Sequence, residues 1–106
     1  MKLTDPNLLA ELRIGTAFRL TSFGPFSAPT LLMITTRGDA KENLQIVVVG
    51  GHKRGNALVL LPAEAYSSSL AVSRDWLVTN WQKWVDPDSN ATDAEVIMDI
   101  LDELDR

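Results

Sequence analysis

The chain contains no cysteine. Disulfides, thiolate catalysis and the usual cysteine-based zinc sites are therefore excluded. Histidine occurs once, at His52. A catalytic triad needs a histidine held by an acid and facing a nucleophile, and no local pattern pairs a serine or threonine with His52. Long apolar runs are also missing. None approaches the ~20 residues that span a bilayer, and Met1, Lys2, Leu3, Thr4, Asp5 and Pro6 lack the apolar stretch of a secretory signal. The expectation is a cytoplasmic protein with no membrane contact. Hydrophobic residues make up 45% and charged residues 23% of the 106 positions, an ordinary balance for one globular domain spanning 1–106.

Positive charge is scarce in the second half. Residues 1–60 hold seven basic and four acidic side chains, a balance of +3. Residues 61–106 hold three basic and ten acidic side chains, a balance of −7. An acidic half argues against direct nucleic-acid binding, which needs neutralised phosphates. Two readings fit it: a solvated surface, or a face that meets a basic partner, because opposite potentials speed encounter.

All three tryptophans fall within nine residues, at Trp76, Trp81 and Trp84. On a helix, Trp76 and Trp84 lie two turns apart on nearly one face, and Leu77 and Trp81 form an i, i+4 pair beside them. Ser73 suits the N-cap and Asp75 the positive end. Pro87 stops the helix. Burying one tryptophan hides about 150–250 Å² and yields about 4–6 kcal/mol before ordering costs. Trp76, Leu77, Trp81 and Trp84 are therefore expected to form the structural core, with an exposed tryptophan as partner anchor the other reading.

This segment carries a family resemblance. Ser73, Arg74, Asp75, Trp76, Leu77, Asn80, Trp81, Lys83, Trp84, Val85, Pro87 and Asp88, with the stretches 13–20 and 49–62, resemble a family of small bacterial immunity proteins from polymorphic toxin systems, the immunity protein forty-five type. The resemblance spans roughly residues 13–96, and His52 departs from it where the family carries an aromatic. It implies a cytoplasmic antidote, not an enzyme, that binds and neutralises a co-encoded toxin by occlusion. An adaptor or effector chaperone is the alternative. The toxin's chemistry is not implied.

Four strands are expected, at 13–23, 30–37, 44–49 and 57–61, from aliphatic and β-branched runs bounded by turn residues. The first places Ile14, Phe18 and Leu20 on one face. Asp5 and Pro6 suit a helix start, and 64–72 reads as a loop exposing Ser67, Ser68 and Ser69. Thr92, Asp93, Ala94 and Glu95 have the capping-box form, ahead of an apolar stripe of Val96, Ile97, Ile100, Leu101 and Leu104. The fold expected is α+β: a four-stranded, mainly antiparallel meander with a short N-terminal helix and two C-terminal helices packed on it. Strands two to four are apolar on both faces, which leaves surface for a homodimer or for toxin docking.

Gly50, Gly51 and Gly55 flank His52, Lys53 and Arg54, but a strand follows where a phosphate-binding loop needs a helix. The loop is a turn between strands or a basic patch that touches a partner. Carboxylate pairs abound in the acidic half, yet an amphipathic helix carries such pairs by default, so no glycosidase pair is assigned. Asp86, Pro87, Asp88, Ser89 and Asn90 lack the glycine and final glutamate of a calcium loop. No metal and no cofactor are expected. The expected partner-binding residues are Asp86, Asp88, Glu95, Asp99, Asp102 and Glu103, with His52, Lys53 and Arg54. A toxin with a basic, nucleic-acid-degrading active site would meet the carboxylates in place of phosphates. Arg19 is expected to pair with an acid of the second half or to contact a partner.

Overall fold

Burial alternates along Thr30–Thr36 (β3) and Leu44–Gly50 (β4) in the computed structural model. Leu32, Ile34, Leu44, Ile46 and Val48 point inward and are buried, whereas Leu31, Met33, Val47 and Val49 on the opposite face are half-buried. This period of two is what a pleated strand imposes. The structure describes residues 1–8, 10–21, 29–36, 44–51, 57–68 and 70–97. With Ala17–Leu20 (β2), Ala57–Leu60 (β5) and Glu95–Ile97 (β8), these strands form a five-stranded sheet in the order β5-β4-β3-β2-β8. A second sheet has the order β1-β7-β6, from Glu11–Arg13 (β1), Tyr66–Ser68 (β6) and Ala71–Ser73 (β7).

The expected four strands with three helices are thus overturned. Among the described residues there are eight strands in two sheets and one α-helix, Arg74–Trp84 (α1).

The first departure is at Gly15. One strand was expected over 13–23, but φ reaches +94° at Gly15, in the region that favours glycine. The chain leaves one sheet there and enters the other. β1 pairs with β7, β2 pairs with β3, and Ile34 bridges the crossing by accepting from the Gly15 amide and donating to the Thr16 carbonyl. Ile14 sits in that turn at 38% exposure instead of beside the buried Phe18 and Leu20.

The second departure is at the N-terminus, where a helix was expected from Asp5. The Asp5 carboxylate accepts the Asn7 amide, and the Arg74 guanidinium donates to the carbonyls of Asp5 and Leu8. A helix this short does not nucleate unaided, and Arg74 satisfies the turn carbonyls in its place. The third is the expected loop over 64–72. Its residues form a 3-10 turn at Ala63–Ala65, then β6 and β7, with Ser67 and Ser68 exposed. The fourth lies at residue 92, where a helix was expected. A 3-10 turn at Ala91–Asp93 is followed by β8, whose β-branched Val96 and Ile97 pair with β2. The edge of β2 decides this, because a strand there pairs backbone groups that a helix packed on that edge would bury without partners. On its other side β8 meets the N-terminal residues: Leu3 donates to Ala94, and Val96 donates to Met1.

The helix α1 follows directly from β7. The Ser73 hydroxyl accepts the Trp76 amide at 3.3 Å, as an N-cap should. Leu77 and Trp81 face the core, and Trp81 meets Phe18 edge-on, with ring centroids 6.2 Å apart at 84°. Trp76 and Trp84 pack on each other at 5.8 Å on the flank and stay half-buried.

Two glycines test the backbone argument. At Gly15 an added Cβ would meet nothing within 4 Å, whereas at Gly51, with φ +107°, it would lie 2.7 Å from the Pro29 carbonyl oxygen. Gly15→Ala is expected to cost about 1 kcal/mol, the penalty of positive φ alone. Gly51→Ala is expected to cost about 3 kcal/mol, since the backbone must also move. Urea midpoints of the two variants check the order, and equal losses would contradict it.

Candidate partner-binding surface

The segment after α1 is held by the helix itself. The buried Trp81 indole donates to the Ser89 hydroxyl at 3.1 Å. Gln82 donates to the Ser89 carbonyl and, at 2.7 Å, to the Asn90 side chain. The Asp86 carboxylate accepts the Asp88 amide at 3.0 Å, the local turn that aspartate favours. Asp93 in turn accepts the Asn90 amide at 3.2 Å, and Ala91 and Ala94 are buried beneath. The turn is therefore ordered before any partner arrives. It presents Asp88 and Asp93 to solvent.

The structure divides the expected binding residues. Asp86 is only 1% exposed and serves the turn from within. Asp88 is exposed. Glu95 accepts from the Arg19 guanidinium at 2.8 Å across the β2–β8 pair, and both side chains keep about 40% exposure, at 43% and 40%. Arg19 thus pairs with an acid of the second half. A pair so open to water contributes less than about 1 kcal/mol. His52, Lys53 and Arg54, and Asp99, Asp102 and Glu103, lie outside the described residues.

Sequence reasoning passed over Asp93 as a surface group and over Ser89 as an anchor. The spacing of Asn90 and Asp93 carried the signal, since an asparagine three residues before an acid can close a reciprocal cap. It also missed Leu70, which is 61% exposed and lies beside Ile14. Among the described residues no group of three or more histidine, aspartate or glutamate side chains is placed to hold a metal ion. No helix among them is long and apolar enough to cross a membrane.

The family model described as Immunity protein 45 matches residues 9–96. The chain belongs to the Immunity protein 45 family. The match begins just before β1 and ends within β8, so it takes in both sheets, α1 and the ordered turn. No curated protein and no solved structure matches the chain. Membership in the Immunity protein 45 family makes the chain an immunity protein, a class that is generally non-enzymatic, and implies a toxin as its partner.

Proposed function

We propose that this Immunity protein 45 member binds a cognate, co-encoded bacterial toxin in the cytoplasm and neutralises it by covering its active site. The family match over residues 9–96 carries this reading. The hydrogen-bonded turn over 86–93 supports a docking mode with little reorganisation, because a preordered surface loses less entropy on association. Its exposed Asp88 and Asp93, with the acidic balance of residues 61–106, suit a basic partner such as a toxin that degrades nucleic acid.

Co-expression with the toxin encoded beside this gene tests the proposal. Growth should be restored, and the purified pair should show no toxin activity at equimolar ratio. Binding without growth protection would replace the reading with an adaptor or effector chaperone.

The charge argument has its own test. Reversing Asp88, or Asp99, Asp102 and Glu103, to lysine is expected to slow association with the toxin about tenfold at low salt. The difference should shrink as ionic strength rises and screening shortens the field. Association rates that match the parent at every salt concentration would leave the carboxylates without a role in binding.

A further inference from the structure

β1 is an outer strand. In the order β1-β7-β6, among the described residues, it pairs only with β7. Its residues alternate strictly: Leu12 is buried, while Glu11 and Arg13 are exposed on the outer face. Among the described residues neither Glu11 nor Arg13 has an ion-pair partner. A trough of about 350 Å³ opens on the same face, lined by both charges and by Ile14 and Leu70. These two are among the most exposed large hydrophobics described, at 38% and 61%, and the Ile14 amide holds them together by donating to the Leu70 carbonyl at 3.2 Å.

An unpaired strand edge is a template for another strand, and charges on the edge usually guard it. The guard here has a gap. Glu11, Leu12 and Arg13 read acid–apolar–base about a central residue. In an antiparallel pair of two copies related by a two-fold axis through Leu12, Glu11 lies opposite the partner's Arg13, and Arg13 opposite the partner's Glu11. Directly opposed side chains of unlike charge support a sheet pair and like charges oppose it. Sliding the pair so that it centres on residue 11 or 13 sets glutamate against glutamate or arginine against arginine. The charges thus favour the register centred on Leu12 over those centred on residues 11 and 13. A strand of uniform charge would meet one like and one unlike charge there, whereas a second copy meets two unlike ones. The contact is isologous, as a closed two-fold dimer requires.

We propose that this chain forms a two-fold homodimer through antiparallel pairing of β1, which joins the two small sheets into one six-stranded sheet. The proposal stands apart from the toxin reading, since it needs no toxin.

Sedimentation equilibrium of the full chain tests it, with circular dichroism to confirm that each variant keeps its fold. The parent should dimerise with a dissociation constant of about 1–100 µM. Glu11→Arg and Arg13→Glu should each raise that constant about tenfold, because the symmetry doubles every like-charge contact. The double variant Glu11→Arg with Arg13→Glu restores both pairs and should return to the parental value. Leu60→Lys, on β5 at the far end of the other sheet among the described residues, should leave it unchanged. A parent that stays monomeric up to about 500 µM overturns the proposal. So do single reversals that dimerise like the parent, a double variant that fails to recover, or a dimer lost on Leu60→Lys.

Discussion

Replacing Trp81 by alanine is expected to remove about 3–5 kcal/mol of stability, the range for a large buried aromatic. The chain's whole stability is about 5–15 kcal/mol on the scale of small domains, so this variant should be partly unfolded near body temperature. Three contacts are lost together. The indole is 1% exposed in the core between α1 and the five-stranded sheet, it meets Phe18 edge-on, and its Nε1 donates to Ser89. Trp81→Phe separates them. It keeps an aromatic against Phe18 but leaves the buried Ser89 hydroxyl without its donor, at a cost of about 1–2 kcal/mol. Urea unfolding followed by far-ultraviolet circular dichroism gives both values. A loss below about 1 kcal/mol for the alanine variant would remove Trp81 from its place as the main clamp.

Asp86→Ala is the second large effect, and it falls on stability instead of binding. Asp86 and Asp88 are two residues apart and read alike in the sequence, yet Asp86 is buried and Asp88 is exposed. Removing the Asp86 carboxyl leaves the Asp88 amide without its acceptor. The expected cost is about 2 kcal/mol, whereas Asp88→Ala should change stability by less than about 0.5 kcal/mol. Toxin affinity, measured on the folded fraction, should respond in the opposite order. If Asp88→Ala proves as destabilising as Asp86→Ala, the two carboxylates do not divide in this way.

What was legible in the chain followed from local signals of sufficient length. The tryptophan helix has a cap at Ser73 and a stop at Pro87, and α1 runs Arg74–Trp84 between them. The aliphatic runs around Leu32 and Ile46 fall in strands of seven residues each, long enough to read as strands between turn residues although they are apolar on both faces. β1, β6, β7 and β8 have three residues each. No period can be read from three positions, so β1 merged with β2, β6 and β7 read as loop, and β8 read as the first turn of a helix. The candidate site divided in the same way. The acidic character of the turn was readable, but not which acid turns inward, because the Asp86–Asp88 turn and the Trp81–Ser89 bond place those side chains.

By itself, the sequence determined the kind of protein this is. Its lack of cysteine and of bilayer-length apolar runs, its acidic second half and the tryptophan segment that carries the family resemblance are properties of residue type and spacing, and folding does not alter them. Only the tertiary structure decided the pairing. Whether 95–97 coil or extend depended on the edge that β2 leaves open, and whether 11–13 continue into 17–20 depended on the positive φ at Gly15 and on the two bonds it and Thr16 make to Ile34. A backbone hydrogen bond in a sheet joins residues far apart in the chain, so its partner is not written beside it. The charges of Glu11 and Arg13 follow the same rule. They stand two apart in any copy of the sequence, but the proposed dimer can use them only because, among the described residues, β1 lies at the edge of its sheet with both side chains facing out.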